Sequence, residues 1–286
     1  MKVEFKNNNA YIAEMPDFDL EQTFTCGQCF RWNKTDENSF TGVAYGKVLK
    51  ISMLDGGFVL HGVTDEDYYN IWEEYFDLSR NYGEIKKTLA IDEVMENAIS
   101  AGSGIRILRQ DIWETILSFI ISASNNIPRI KKIITSLCEN FGEPLSDGLY
   151  SFPAPEKLRG ITPEDLAPIR AGFRAKYIAD AADKITSGEV DLDGLFKMDT
   201  ASARKELIKI NGIGNKVADC ILLFALGRME VFPVDVWINN TMCKLYPEKC
   251  TSLAGVRIAG PEIFGEYCGV AQQYLFYYAR ENGGDI

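Results

Sequence analysis

A lysine and an aspartate close to a glycine hairpin are the residues in this sequence best suited to covalent chemistry. Lys216 follows Gly212 and Gly214 at the predicted start of one helix, and Asp235 comes 19 residues later at the predicted start of another. The positive end of the helix dipole and an apolar surrounding favour the neutral amine of Lys216, a nucleophile that forms a Schiff base with a sugar carbon. A carboxylate held as an N-cap stays ionised and stabilises positive charge on that sugar. Each residue alone is typical of a surface lysine or an ordinary helix cap, whereas the joint pattern favours a catalytic pair.

Two short helices joined by a Gly-x-Gly turn must position the lysine. Apolar spacing predicts the first helix over residues 201–210 and the second over residues 217–226, with Gly227 just past its end. Gly212 and Gly214 allow the turn and let another backbone approach closely. The free N–H groups and the dipole at the start of the second helix attract an anion. The sequence therefore predicts that this turn binds a DNA phosphate.

The secondary-structure patterns change once along the chain. Alternating apolar residues predict strands at residues 10–13, 40–45, 47–53 and 58–63, with Asp55-Gly56-Gly57 as the turn between the last two. Helical spacing begins at residues 68–76 and then dominates, at residues 112–121, 127–141, 173–185, 217–226 and 272–280. This order predicts an α+β fold. An N-terminal antiparallel β-sheet domain, residues 1–93, packs on a C-terminal all-α domain, residues 94–286, whose two helices and hairpin span about residues 201–227.

The charge pattern excludes a protein that coats DNA through its overall charge. The net charge is −11, and acidic residues crowd residues 65–84. Basic residues gather in three clusters, which are Arg204, Lys205, Lys209 and Lys216; Arg129, Lys131 and Lys132; and Arg170, Arg174 and Lys176. Such clusters present one basic face to a duplex, with binding that weakens as salt rises, although each alone is typical of a solvated helix face.

The composition predicts an intracellular protein. With 286 residues and 46% hydrophobic content, the chain is long enough to bury one or two cores. It has no run of roughly 20 apolar residues and no apolar leader, so we expect no membrane partner. The expected location is cytoplasmic and nucleoid-associated, or nuclear.

The seven cysteines are expected to be reduced and to bind no metal. Cys26 and Cys29 form a C-x-x-C without a second pair at zinc spacing, which favours buried thiols in a tight turn. Cys243 and Cys250 lack the closely spaced further cysteines of an iron–sulfur loop. His61 is the only histidine and lies in a predicted strand, so neither a histidine-based triad nor a multi-histidine metal site is expected.

Four separated segments carry a family resemblance. They are Thr25-Cys26-Gly27-Gln28-Cys29-Phe30-Arg31-Trp32, residues 110–129, residues 212–235, and Gly269-Val270-Ala271-Gln272-Gln273-Tyr274-Leu275-Phe276. In this order they resemble the helix-hairpin-helix superfamily of DNA glycosylases, and specifically its 8-oxoguanine DNA glycosylase branch. The resemblance implies a monomeric, bifunctional DNA glycosylase/AP lyase of base excision repair. Such an enzyme flips 8-oxoguanine out of double-stranded DNA into a cleft between two domains.

The resemblance also implies which residues hold the base. The backbone carbonyl of Gly27 would accept a hydrogen bond from N7–H of the oxidised guanine, a proton that normal guanine lacks, and this bond would carry the discrimination. Gln272 would read the Watson–Crick edge, while Phe276 and Cys220 would press on the faces of the base. From their helical spacing alone, Gln272 and Phe276 are equally typical of a core-facing stripe.

Residues near two of the basic clusters are implied contacts with the DNA strands. Asn126, Arg129 and Arg174 match positions that contact the opposite strand and its unpaired cytosine. Arginine suits a base edge because its fork donates two parallel hydrogen bonds, but both arginines are equally suited to holding phosphates. Phe173 matches an aromatic residue that wedges into the base stack.

The sequence departs from the family pattern at two positions. Ser124 stands where better-known members carry an asparagine that fills the vacated stack, and Trp237 stands where they carry a histidine near the catalytic aspartate. These departures bear on cytosine preference and on phosphate handling. No organic cofactor is expected, but the resemblance implies an alkali cation at hairpin carbonyls, those of Ile208, Ile210 and Ile213.

Two other functions fit parts of the same sequence. A helix-hairpin-helix enzyme for another damaged purine, such as an alkylated one, would keep the fold and both candidate catalytic residues. A noncatalytic DNA-binding module would need neither Lys216 nor Asp235.

Overall fold

An antiparallel sheet forms the N-terminal part of the computed structural model, which describes residues 1–250 and 252–283. Its strands lie in the order β1-β2-β6-β5-β4-β3. Their bounds are Lys2–Lys6 (β1), Asn9–Ala13 (β2), Trp32–Asp36 (β3), Ser39–Ala44 (β4), Lys47–Leu54 (β5) and Gly57–His61 (β6). The predicted turn between the last two strands is confirmed, because Leu54 pairs with Gly57 across it.

The sequence patterns miss the two edge strands, β1 and β3. Four of the five residues of β1 are exposed, and β3 is exposed beyond its first residue, Trp32. Edge strands carry charges that discourage pairing with other chains, so no alternation of apolar residues marks them. The four predicted strands are the inner ones, whose buried residues alternate or run together.

Aromatic side chains fill the space between the sheet and the segments packed on it. Phe24 stacks on Trp32 with ring centroids 4.2 Å apart, and the Trp32 indole N–H donates to the Tyr75 hydroxyl at 2.7 Å. Phe76 lies among these rings. This buried cluster anchors the chain just before Gly27 enters the candidate site.

Helices make up most of the remaining described chain. The α-helices are Leu20–Thr25 (α1), Asp65–Asp67 (α2), Glu73–Tyr75 (α3), Tyr82–Leu89 (α4), Glu93–Ala101 (α5), Ile112–Ser122 (α6), Ile127–Phe141 (α7), Ala175–Thr186 (α8), Leu192–Leu195 (α9), Thr200–Ile208 (α10), Asn215–Phe224 (α11), Val236–Leu245 (α12), Leu253–Phe264 (α13) and Cys268–Glu281 (α14). A π-helical turn, Tyr68–Trp72, joins α2 to α3. Short 3₁₀ turns are Ser146–Gly148, Pro155–Leu158, Ala167–Ile169, Gly172–Arg174 and Gly265–Tyr267.

The predicted helices are confirmed, with ends that shift by a few residues. Helix α7 matches its prediction at both ends, whereas α8 begins later because Gly172–Arg174 forms a 3₁₀ turn. Helix α11 begins and ends two residues earlier than expected, because Gly214 is its N-cap and Ala225 its C-cap. The predicted α+β fold, an antiparallel sheet followed by a helical part, is confirmed.

The helical core reaches into the N-terminal part of the chain. Cys26, Phe30 and Tyr82 pack in the same buried cluster as the helices that follow. Buried Arg106 ties the two parts together, since its guanidinium donates to backbone carbonyls that include that of Phe76 and lies 4.1 Å from the Tyr82 ring centroid. The predicted division after residue 93 falls at the start of α5 and stays a prediction. Among the helices of residues 1–250 and 252–283, none has the length and apolar character to cross a bilayer.

Candidate active site

Lys216 lies in the first turn of α11, as predicted. The N-cap of this helix, Gly214, supplies no side-chain hydrogen bond. The half-buried Lys216 side chain places Nζ 5.3 Å from the ring centroid of Phe119, which stacks on Phe224. One turn further on, burial raises the pKa of the Cys220 thiol to about 11, although the charge of Lys216 opposes this shift. The lysine therefore has apolar rings and a neutral thiol as neighbours.

Asp235 is the N-cap of α12, also as predicted. Its Oδ1 accepts a hydrogen bond from the backbone N–H of Ile238 at 2.8 Å. Buried Val234 precedes it, and the backbone N–H of Gly269 on α14 donates to the Met229 carbonyl at 2.8 Å in the same connecting segment. The carboxylate is thus fixed both by the helix that it caps and by the packed segment that precedes it, residues 229–234.

The lysine and the aspartate line the same two hollows of the surface. One is a narrow cavity of about 50 Å³, whose lining residues are Cys26, Gly27, Phe119, Lys216, Cys220, Phe224, Pro233, Asp235, Gln272, Gln273 and Phe276. The other is a groove of about 620 Å³ that also borders Ser124, Trp237 and Leu253. The groove and the cavity therefore meet at these two groups.

All six residues expected to do the chemistry or hold the base line the narrow cavity. They are Lys216, Asp235, Gly27, Cys220, Gln272 and Phe276. The cavity is too small for a purine base, so base entry must displace a lining side chain. Phe276 is half-buried, whereas the rings of Phe119 and Phe224 are buried. Among these three rings, Phe276 is the most exposed and is therefore the side chain that we expect to move.

Gly27 occupies a backbone conformation that favours glycine. Its φ is +88°, and a Cβ there would lie 3.3 Å from the Phe276 ring. The amide of the next residue, Gln28, clamps the turn by donating to the carbonyls of Thr23 and Arg106 at 2.9 and 2.8 Å. Among the described residues, no donor reaches the Gly27 carbonyl, which leaves it able to accept a hydrogen bond.

The two cysteines of the C-x-x-C motif are structural. Cys26 and Cys29 are buried free thiols, and the Cys26 thiol donates to the Thr23 carbonyl at 3.3 Å. Burial raises the pKa of Cys26 to about 11. Within residues 1–250 and 252–283, no group of three His, Cys, Asp or Glu side chains is placed to hold a metal ion.

The two glycines of the hairpin play different roles. Gly212 has a φ of +90°, and a Cβ there would lie 2.6 Å from the ring of Tyr177, which packs beneath the turn. Gly214 has an extended conformation, and a Cβ there would meet open space. The Asn211 side chain bonds Asp180 at 2.6 Å and holds the hairpin to α8. The fold therefore favours glycine at position 212. At position 214, glycine leaves open space that a ligand can occupy.

The basic cluster around the hairpin is partly neutralised. Arg204 donates to the carboxylate of Asp219 at 2.6 Å, and Arg257 approaches the same carboxylate at 3.3 Å. Asp219 is buried on α11, one turn after the lysine. Arg204 therefore anchors α11 to α10, and the expectation that it adds to a basic DNA-facing surface is corrected.

Four of the side chains predicted to contact DNA are exposed. Asn126 caps α7 by accepting from the Arg129 backbone N–H at 3.0 Å, and both of these residues are exposed. Phe173 is 53% exposed, and its ring lies 4.4 Å from the Arg174 guanidinium carbon. Trp237, at the mouth of the groove, is 47% exposed. These four side chains are therefore accessible to a ligand.

Arg174 differs from the expectation that it contacts the opposite strand. It is 2% exposed, and its guanidinium donates to the carbonyls of Ala123, Ala171 and Ser124. Burial and the nearby charge of Arg129 lower the pKa of Arg174. In this conformation the side chain fixes the turn at Ser124, whose φ of +49° is unusual outside glycine. Its donors are occupied by the protein and do not reach outward to a base.

Sequence reasoning missed five residues of the cavity wall. Cys26 was expected only as a buried thiol in a tight turn. Phe119, Phe224 and Pro233 are apolar residues with no local mark that separates them from the core. Gln273 is the fifth, and it is 4% exposed on α14. Its only sequence signal was a second glutamine directly after Gln272 in an apolar helix. Consecutive helical residues point in different directions, so helical spacing did not place both glutamines in the same cavity.

The sheet, the helix-hairpin-helix and the lysine–aspartate pair define the class of helix-hairpin-helix DNA glycosylases. Two family models match adjoining parts of the chain. The model described as 8-oxoguanine DNA glycosylase, N-terminal domain, matches residues 11–116. The model described as HhH-GPD superfamily base excision DNA repair protein matches residues 117–253.

Known proteins resemble the chain over nearly its full length. MBOgg1, solved in complex with a low-affinity DNA ligand, has a TM-score of 0.96 and 46% identity, covering 99% of both chains. The 8-oxoguanine glycosylase/lyase of Clostridium acetobutylicum, solved with double-stranded DNA containing cytosine opposite 8-oxoguanine, has a TM-score of 0.95 and 43% identity, again covering 99% of both chains. A probable N-glycosylase/DNA lyase of Methanothermobacter thermautotrophicus is 28% identical over 93% of this chain and 95% of that protein. The chain belongs to the 8-oxoguanine DNA glycosylase family.

Proposed function

We propose that this enzyme excises 8-oxoguanine from double-stranded DNA and then cleaves the strand as an AP lyase, using Lys216 as the nucleophile. The observation that carries the proposal is that Lys216 and Asp235 line one cavity together with the implied base-binding residues. A noncatalytic DNA-binding module would have no use for a nucleophile and a fixed carboxylate facing the same small space.

In this mechanism the neutral amine of Lys216 attacks C1′ of the flipped nucleotide. The C1′–N9 bond breaks, and its electron pair leaves with the base, which takes up a proton. Asp235, held by its hydrogen bond to Ile238, stabilises the positive charge that develops on the sugar. Opening of the sugar ring gives a Schiff base between Nζ and C1′, and loss of a C2′ proton then expels the 3′ phosphate by β-elimination.

The cavity wall accounts for recognition of the oxidised base. The unoccupied Gly27 carbonyl accepts N7–H of 8-oxoguanine, whereas normal guanine presents a lone pair there and is repelled. With its pKa raised to about 11, the Cys220 thiol stays uncharged at neutral pH and packs on one face of the base. Phe276 covers another side of the same cavity, and Gln272 reads the Watson–Crick edge.

The groove and the hairpin hold the DNA. The open space at Gly214 and the uncapped N–H groups of α11 receive a backbone phosphate. Trp237 packs along the lesion strand, Phe173 wedges into the stack, and Asn126 and Arg129 contact the strand opposite the lesion. The enzyme acts as a monomer on this substrate.

An alkali cation at the carbonyls of Ile208, Ile210 and Ile213 is part of the proposal. The carbonyl of the intervening Lys209 accepts a hydrogen bond from the ammonium of Lys184, so this turn presents carbonyl oxygen to positive charge. The cation would support the hairpin when bound, and no step of the reaction passes through it.

A lesion panel tests the proposal. Single-turnover base release is measured on one duplex sequence that carries 8-oxoguanine, 7-methylguanine, 3-methyladenine or unmodified guanine opposite cytosine. We expect release of 8-oxoguanine to be fastest and release of guanine to be lowest. Faster release of an alkylated purine would support a different substrate, and tight binding with no release of any base would support a noncatalytic module.

A further inference from the structure

Gln273 is a second buried amide in the wall of the narrow cavity that Lys216 and Asp235 line. It follows Gln272 on α14, and both residues are 4% exposed. Its Nε2 donates to Oε1 of Gln272 at 2.9 Å. Its own Oε1 is buried and has no hydrogen-bond partner among the described residues. An unpaired buried carbonyl costs free energy, so its persistence in a cavity wall indicates that a ligand completes it.

Another buried glutamine of the same chain shows what a purely structural amide does. Gln28 is 0% exposed, its Nε2 donates to the carbonyls of Thr23 and Arg106, and its Oε1 accepts from the Leu108 N–H at 2.9 Å. Both ends of that amide are satisfied by backbone. Gln273 lacks such partners for its oxygen, although it is buried to a similar degree.

The two amides together complement the Watson–Crick edge of guanine. That edge presents the O6 acceptor, the N1–H donor and the N2 amino donor. The pair offers two acceptors, the second lone pair of Gln272 Oε1 and the free Gln273 Oε1, and one donor group, Nε2 of Gln272. An adenine edge, with its N6 amino donor and N1 acceptor, would leave one of these oxygens unpaired.

We propose that Gln273 is a specificity-determining residue for the guanine framework of the lesion. Its Nε2 fixes the orientation of the Gln272 amide, and its Oε1 accepts a hydrogen bond from the 2-amino group of the flipped base. The inference rests on the proposed function, because it assigns the base in the cavity as an oxidised guanine. Gln273 would then be a second residue, beside Gln272, that forms hydrogen bonds with the Watson–Crick edge.

The experiment compares two lesions that differ only in the 2-amino group. Wild-type enzyme and the Gln273→Met variant, which keeps the side-chain length but has no amide, are assayed in single-turnover excision of 8-oxoguanine and of 8-oxohypoxanthine opposite cytosine. We expect wild type to release 8-oxoguanine about 10- to 100-fold faster than 8-oxohypoxanthine. In Gln273→Met both rates fall because Gln272 loses its support, but this ratio collapses towards one.

A matched control removes another glutamine that lies outside the cavity. Gln22 bonds the Ala101 carbonyl and the Gly104 N–H, so Gln22→Met loses two hydrogen bonds and should keep the wild-type ratio. An equal loss on both lesions in Gln273→Met would overturn the inference and leave the proposed function standing. A wild-type enzyme without preference between the two lesions would overturn it even if the variant failed to fold. No turnover of 8-oxoguanine by wild type would instead contradict the proposed function.

Discussion

The starts of helices α11 and α12 face the same cavity but are built in opposite ways. Helix α11 begins at Gly214 without a capping side chain, and its first turn carries Lys216. Helix α12 begins at Asp235, whose carboxylate caps the N–H of Ile238. Both helix dipoles point their positive ends at the site. One end keeps its N–H groups free, and the other uses them to fix a carboxylate.

This difference divides the work of the site between the two helices. Free N–H groups and open space at Gly214 suit the DNA phosphate that we propose to bind there, outside the cavity. In the proposed mechanism, the carboxylate of Asp235, fixed by its hydrogen bond to Ile238, meets the positive charge of a sugar that is losing its base. The lysine is placed between an anion-binding end and a fixed anion. Substitutions that change the capping residue or the hairpin glycines at these two helix starts therefore test whether the two ends have different roles.

Among the changes that compare the two helix starts, the largest expected effect comes from removing the charge at the start of α12. Asp235→Asn keeps a side chain that caps a helix about as well as aspartate, so stability should change little. Base release should fall about 10²- to 10³-fold, since one preorganised charge at the reacting centre is lost. The measurements are single-turnover excision, DNA binding and thermal unfolding. A parallel fall in binding and in melting temperature would show that Asp235 is only a structural cap.

A smaller effect is expected from the hairpin that aims α11. Gly212→Ala places a methyl group against Tyr177 at a φ of +90°, and the strain should lower the free energy of unfolding by about 1–3 kcal/mol. Denaturant unfolding measures this loss. Gly214→Ala, which points its methyl group into open space, is the matched control and should lose less stability than Gly212→Ala, with only the small cost of alanine at an N-cap. Equal destabilisation by both substitutions would contradict the separate roles of the two glycines.

The smallest effect comes from giving α11 the kind of start that α12 has. Gly214→Asp supplies a capping carboxylate, and the extended backbone at this position suits an N-cap. Duplex affinity should fall about tenfold because the carboxylate takes the place of the phosphate, while stability stays near that of wild type. Gly214→Asn adds a cap of the same shape without charge and should lose less affinity. If Gly214→Asp bound the duplex as tightly as wild type, the proposal that a DNA phosphate binds at the start of α11 would be wrong.

The features that the sequence predicts correctly are marked within a few residues of one another. The hairpin, the lysine in the first turn and the aspartate cap each depend on local backbone chemistry, and the structure confirms their positions. The inner strands and the long helices are equally local patterns. The edge strands β1 and β3 pair with strands that directly follow them in the chain, but they were missed because their residues are mostly exposed and show no alternation of apolar residues.

The features that the sequence does not predict depend on distant partners. Arg174 turns inward because three carbonyls, two of them from the turn after α6, are there to receive it. Arg204 is neutralised by Asp219, which lies on the next helix. Gln273 lines the base cavity only because α14 packs beside α11 and the Gly27 turn. No spacing within one segment could have indicated these contacts.

Identification of the lysine that bonds to DNA shows whether Lys216 is the nucleophile. Wild type, Lys216→Gln and the exposed control Lys157→Gln are incubated with 8-oxoguanine duplex and borohydride, and the trapped adduct is mapped by peptide mass spectrometry. We expect an adduct on Lys216 in wild type and in the control, and a loss of trapping of at least about 10³-fold in Lys216→Gln. Full trapping by Lys216→Gln, or a wild-type adduct mapped to another lysine, would contradict it.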